Sequence, residues 1–347
     1  MTDALAKLQL NGVLREYGLI LQQAEPASGG FSGARVWRVA TSQGPVVALR
    51  CSEPVSPELQ QQRTAVCRWM RWAREQGCNW SPRPLELVNA TATGGAFFLQ
   101  RGELIWQAEE WMPGTPVAAN PSSRQLRAAL RTIAQLHQSG RDFVLRYGVS
   151  GGLQLAIGKS PGLERRLQIV QSLLNGELEQ LLMAAGRHTN AEFRQLAGEY
   201  GRSLRERLQG LERQLRQIVR EDFILQPILR DIWKPHMLFA EADVTGVIDW
   251  NAAAADHPAF DYARLLCSWY GSDILNADSV SEQLPDAWNV TEQQLWRLCC
   301  QSVLLLSPVT WLRRICANAE LPPTSELLTT SMLQRFREVV AAINLNQ

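Results

Sequence analysis

Between Gly18 and Cys51 the apolar residues come in short runs, at 19–21, 36–39 and 46–49, separated by Ser28-Gly29-Gly30-Phe31-Ser32-Gly33 and by Gln43-Gly44-Pro45. Short apolar runs bounded by turn formers predict three antiparallel strands, joined by a glycine-rich turn and a hairpin. From Pro57 the spacing changes: Leu59, Val66, Met70 and Ala73 fall near helical intervals and the pattern stops at Gly77, which predicts a helix over 57–76. Two further strand candidates, 85–89 and 96–99, lead to 105–112 and the breaker Pro113-Gly114. Helical patterns then dominate, over 123–138, 163–183, 191–219, 259–270, 291–306 and 325–343. The exception is 224–248, where short apolar strands flank a turn at Glu241-Ala242-Asp243. The shift at Pro113 predicts two lobes in an α+β chain: residues 1–112 built on an antiparallel sheet, and residues 113–347 mainly helical.

Composition narrows the partners. A chain of 347 residues, 46% hydrophobic and 20% charged, can bury one large core or two moderate ones. A formal net charge of +1 gives no electrostatic excess that would recruit a nucleic acid or a membrane surface. The first ten residues carry no charged segment followed by an apolar one, and no uninterrupted apolar run approaches the roughly 18 residues a bilayer span needs. A cytoplasmic location is the expectation. The seven cysteines are scattered without a CxxC pair or a histidine at ligand spacing, so they are read as core thiols rather than zinc ligands. The residues Leu204, Leu208, Leu211, Leu215 and Ile218 share one face of a helix, either a packed amphipathic helix or a coiled-coil face. Only Lys7, Lys159 and Lys234 are lysines, so nearly all positive charge is arginine.

The segment that carries chemistry is Ile228-Leu229-Arg230-Asp231-Ile232-Trp233-Lys234-Pro235-His236-Met237-Leu238-Phe239, followed by Val244-Thr245-Gly246-Val247-Ile248-Asp249-Trp250. Two carboxylates end short strands, and the hairpin between the strands returns one toward the other. Phosphoryl transfer asks for such a pair: one carboxylate takes the proton of the acceptor hydroxyl, and the other holds a metal ion on the phosphates. Taken singly, each aspartate reads equally as a turn cap.

In order and spacing these residues resemble the aminoglycoside phosphotransferase and choline kinase-like family. That family has a His-Gly-Asp loop, an Asn five residues on, an apolar strand, a turn and an Ile-Asp-Trp motif. Asp256-His257-Pro258-Ala259-Phe260-Asp261-Tyr262-Ala263-Arg264 resembles its downstream acidic segment, with Asp261 at a usually structural position, and 130–137 resembles the helix that precedes the loop. The resemblance implies a bilobal protein-kinase-like fold with residues 1–112 as the nucleotide-binding lobe and 113–347 as the catalytic and acceptor-binding lobe. It implies ATP and Mg2+ as cofactors, Asp231 as catalytic base and Asp249 as metal ligand. The backbone of Gly29, Gly30, Ser32 and Gly33 would cover the phosphates. Arg50 stands where a phosphate-pairing lysine is expected, and a guanidinium can do that work bidentately. Glu110 and Met112 fall in the hinge that would frame adenine. The helix 57–76 should supply a glutamate to orient the basic residue, but only Glu58 and Glu75 occur, one at each end.

Three departures stand out: Leu229 replaces the motif's His, Arg230 its Gly, and His236 its Asn. Imidazole suits manganese better than magnesium. His236 therefore has four readings: a metal ligand, a partner of Asp249, an imidazolium on a phosphate, or a structural residue. The acceptor implied is a small hydroxylated metabolite, and no concentration of acidic residues singles out an aminoglycoside. Two alternatives are a catalytically silent nucleotide-binding module and a protein-interaction scaffold.

Overall fold

The computed structural model describes residues 3–27, 34–89, 96–117, 120–276, 288–317, 333–334, 336–338 and 340–341. The chain packs into two compact units. One comprises Met1–Leu155, Gln226–Leu229 and Pro235–Ala255; the other comprises Ala156–Leu225, Arg230–Lys234 and Asp256–Gln347. The division is thus not a single cut after residue 112.

The first unit begins with α1 (Asp3–Glu16), β1 (Leu21–Pro26), β2 (Arg35–Thr41), β3 (Val46–Ser52) and α2 (Pro57–Glu75). It continues with β4 (Phe98–Arg101), β5 (Leu104–Glu110), β6 (Thr115–Pro116) and α3 (Ser123–Tyr147). The strands form an antiparallel sheet of order β1-β2-β3-β5-β4, with Trp37 opposite Leu49 and Leu49 opposite Ala108. Val39, Val47, Leu49, Cys51, Trp106 and Ala108 form one core with Leu10, Val13, Leu14 and Tyr17 of the α1 region. Tyr17 survives burial because its hydroxyl donates to the carbonyls of Phe97 at 3.1 Å and Trp106 at 3.0 Å. The two-residue period of β3 commits Val47, Leu49 and Cys51 to this core and leaves Arg50 on the other face.

Residues 85–89 form no strand: Leu85 and Leu87 pack against the sheet core and their N–H groups donate to the carbonyls of Ala108 and Ala96, but Pro84, just before them, has no donor to extend the pairing beyond its isolated bridge to Glu109. Helix α1 was not anticipated.

The predicted helices start where their caps allow. Ser56 Oγ accepts from Leu59 N ahead of α2, and Ser122 and Gln125 form a reciprocal capping box ahead of α3. Helix α3 runs past the predicted end at 138, through Ser139-Gly140, because the missing side chain lets it pack closely. A Cβ on Gly140 would lie 2.9 Å from the Pro227 side chain and 3.0 Å from the Trp69 ring. Gly140→Ala is accordingly expected to cost about 1–3 kcal/mol through overpacking, read as a lower denaturation midpoint at unchanged slope. The predicted hairpin is present as β7 (Met237–Ala240) and β8 (Asp243–Val247), with β6 on its outer edge. Trp250, just beyond it, packs edge-on against Trp69 and stacks on Trp80.

In the second unit, Ala156–Gly158 pairs antiparallel with the start of Phe223–Ile228. The rest is helical: α4 (Pro161–Ser172), α5 (Leu178–Gly186), α6 (Ala191–Ile218), α7 (Ala259–Tyr270) and α8 (Val290–Ala317). The single helix predicted over 163–183 is broken at Asn175 and Gly176, where the backbone leaves helical geometry. Leu204, Leu208, Leu211, Leu215 and Ile218 are all buried, and α6 packs on α4, α5 and α8, so this face is an internal seam. Helix α8 is long and apolar enough to cross a bilayer, but 67% of its apolar window is buried, as in a core helix. The helix predicted over 325–343 falls mostly outside the described residues.

Candidate functional site

Of the sequence-predicted residues, Arg50, His236 and Asp249 lie in the first unit and Asp231 lies in the second. In the first unit, Arg50 projects from β3 and its Nη2 lies 3.2 Å from Asp249 Oδ1. Asn251 Nδ2 donates to the same oxygen at 3.1 Å, and His236 Nε2 stands 3.8 Å from Oδ2. The Ile248 N–H donates to the His236 carbonyl at 2.9 Å, tying the loops that carry the two side chains. Asp249 itself adopts left-handed backbone angles, φ 62 and ψ 63, a conformation aspartate tolerates better than most residues. Burial pushes the Asp249 carboxyl up, but the charges of Arg50 and His236 and the hydrogen bonds from Asn251 and Arg50 outweigh it and hold the group below the ordinary range.

Glu109 on β5 joins this neighbourhood. It sits opposite Ala48, diagonal to Arg50, and burial pushes its carboxyl up to about 7, with Arg50 opposing and Asp249 adding to the rise. The hinge residues are placed differently. The Glu110 side chain accepts from Arg74 at 3.0 Å and its N–H donates to the Arg83 carbonyl at 2.9 Å. Met112 is buried, where a Cβ on Gly246 would come within 2.7 Å of it. Gly29, Gly30, Ser32 and Gly33 lie outside the described residues. Neither helix glutamate joins the cluster: Glu75 pairs with Arg71 at 3.0 Å, and Glu58 lies in the first turn of α2.

In the second unit, Asp231 follows Arg230, which has φ 67. The family's glycine at that place now has a physical reason, because a side chain is strained there. Here the turn is fastened by Asp261, 1% exposed, whose Oδ1 accepts the Arg230 N–H at 2.7 Å. Arg230→Gly is expected to raise stability by about 0.5–1 kcal/mol, since relief of the left-handed strain exceeds the added freedom of the unfolded chain. A lowered melting temperature would contradict this. The Asp231 carboxylate is clamped by Arg264 of α7, whose Nη2 and Nε lie 2.8 and 3.2 Å from Oδ1, while Nη1 donates to Ser307 Oγ at 3.2 Å. Lys234 N donates to Ser268 Oγ at 2.8 Å. Asp256 is structural: it accepts from Ser160 Oγ and from the N–H groups of Gly162 and His257, anchoring the start of α4. Sequence reasoning missed the role of Arg264, although it lies three residues after Asp261 in the segment singled out.

The sequence pattern of the phosphotransferase enzyme family (APH) matches residues 23–297. The chain belongs to that family. No curated protein matches it at significant similarity. Solved structures share its fold at low identity. An aminoglycoside phosphotransferase from Alicyclobacillus acidocaldarius is 19% identical, with a TM-score of 0.58, over 96% of this chain and 92% of that one. Spectinomycin phosphotransferase APH(9)-Ia, in complex with ADP and spectinomycin, is 13% identical with a TM-score of 0.61 over 97% of both chains. A macrolide 2'-phosphotransferase from Brachybacterium faecium is 19% identical, with a TM-score of 0.53, over 98% of this chain and 99% of that one. These confirm the kinase-like α+β fold expected of this phosphotransferase-family chain, and the matched span contains Arg50, Asp231, His236 and Asp249.

Proposed function

We propose that this protein transfers the γ-phosphoryl group of ATP to a hydroxyl group of a small molecule. The observation that carries the reading is the Asp249 cluster: a carboxylate in a left-handed turn that gathers Arg50 and His236, on a chain of phosphotransferase family. Asp231 accepts the hydroxyl proton while the acceptor oxygen bonds to the γ-phosphorus. The bond from that phosphorus to the bridging oxygen breaks, and ADP departs with the electron pair. Arg50 holds the α and β phosphates, and the backbone between Glu110 and Met112 frames the adenine.

Among the described residues no cluster of three or more His, Cys, Asp or Glu is present. A divalent cation would therefore be held by Asp249, with His236 beside it, and by phosphate oxygens and water. Few protein ligands with several waters is the usual magnesium arrangement, and the imidazole widens the choice toward manganese. Bound there, the ion supplies charge neutralisation on the β and γ phosphates. The spectinomycin enzyme's structure with ADP and its antibiotic supports a nucleotide with a polar small acceptor as the substrate pair.

One observation favours the silent nucleotide-binding alternative: Arg264 occupies one oxygen of Asp231. Calorimetry with ATP and GTP, each with magnesium, manganese or a chelator, followed by ADP-release assays on a panel of hydroxylated metabolites, separates the readings. Metal-dependent binding with turnover is expected. Binding without turnover on any acceptor would favour the silent module, and absence of binding under every condition would overturn both.

A further inference from the structure

The helix that was expected to offer a glutamate to Arg50 offers an arginine instead. Gln62 of α2 donates through Nε2 to the Ala253 carbonyl at 2.7 Å, and Trp69, two turns on, meets the Trp250 ring at 4.8 Å. These contacts lay one face of α2 along the turn that follows Asp249. Arg63, which follows Gln62 in α2, is partly buried, and among the described residues its Nε is shielded from solvent without a hydrogen-bond acceptor. The charges of Arg50 and Asp249 both act on it: burial and Arg50 disfavour its charge, while Asp249 favours it. Asp249 Oδ1 is already taken by Arg50 and Asn251.

Such an arrangement is costly for a structure whose only purpose is to stand still. A shielded N–H with no acceptor forfeits its hydration, and two guanidiniums near one carboxylate repel one another. The neighbourhood therefore carries an excess of positive charge on groups built to grip planar or tetrahedral anions. A polyanion that filled it would satisfy the Arg63 donor and neutralise the repulsion together.

We infer that Arg63 is a second phosphate-binding residue, paired with Arg50, that grips the terminal phosphates of the nucleotide. The inference rests on the proposed nucleotide reading. In this chain the helix cation binds the substrate directly, where a helix carboxylate would only have oriented the strand cation. Its proximity to Asp249, the metal-holding carboxylate, assigns it to the β and γ end, because that is where the metal sits in phosphoryl transfer.

Calorimetry of ATP, ADP and AMP with magnesium tests it, with inorganic tripolyphosphate as a competitor, on the full-length protein and on Arg63→Gln and Arg63→Lys. Arg63→Gln is expected to weaken ATP and ADP by about tenfold and to raise the tripolyphosphate inhibition constant similarly, while AMP changes by less than about twofold. Arg63→Lys keeps the charge without the fork and is expected to fall between. Circular dichroism and melting temperature establish that each variant is folded; if Arg63→Gln is not, the lysine variant alone decides, by the same ATP-to-AMP contrast. An ATP affinity within about twofold of wild type in a folded variant, or an equal loss for AMP, would overturn the role of Arg63. Failure of the wild-type protein to bind any of the three nucleotides would instead remove the nucleotide reading itself.

Discussion

Asp231→Asn is expected to lower kcat by about a thousandfold while leaving the affinity for ATP within about twofold, the range set by loss of a positioned general base. The substitution is nearly isosteric. The asparagine carbonyl can still accept from Arg264, which holds Oδ1 at 2.8 Å in the wild type, so the loop should keep its place while the site loses its proton acceptor. Rapid-mix assays of ADP formation with a saturating acceptor give the rate, and calorimetry gives the affinity. Turnover at the wild-type rate would remove Asp231 from the mechanism. A parallel loss of ATP affinity would mean that its role is in binding instead.

Asp249→Asn should act on the other half of the chemistry. With magnesium present, ATP affinity is expected to fall by about a hundredfold and kcat by about a thousandfold, because the carboxylate proposed to hold the ion is gone. In chelator the sign should differ. The wild-type carboxylate repels phosphate and ties up Arg50 in an ion pair of 3.2 Å; its removal frees that guanidinium and deletes a negative charge. Metal-free ATP should therefore bind the variant as well as the wild type or better. A variant that loses affinity equally with and without metal would point to a structural collapse around the left-handed turn at Asp249, and the metal assignment would fail.

The sequence was most legible where a periodic apolar pattern met a clear cap, as in α2 with Ser56 and Pro57 or α3 with its capping box. It was least legible where packing overrode a local breaker. Gly140 reads as the end of a helix, but tertiary closeness to Trp69 and Pro227 makes it an interior residue. Asn175-Gly176 shows the reverse case: apolar spacing continues through it while the backbone does not. Of the candidate site, the family resemblance singled out Asp231, Asp249 and Arg50, and the structure places Arg50 3.2 Å from Asp249. The part played by Arg264 was not legible, because a clamp on a carboxylate 33 residues away is a fact of the third dimension, and Arg63 gave no signal either. Both arginines look like ordinary solvated positions in an arginine-rich chain.

Arg50 also sets how this protein answers to chemical reagents. A guanidinium, with its charge delocalised over a planar group, is a poor nucleophile toward an acylating or sulfonylating nucleotide probe. The only amino side chains, Lys7, Lys159 and Lys234, are far from β3 in sequence. Surveys that find kinases by labelling the lysine on that strand would pass over this one, whereas an arginine-selective dicarbonyl such as phenylglyoxal should label Arg50, with ATP slowing the reaction.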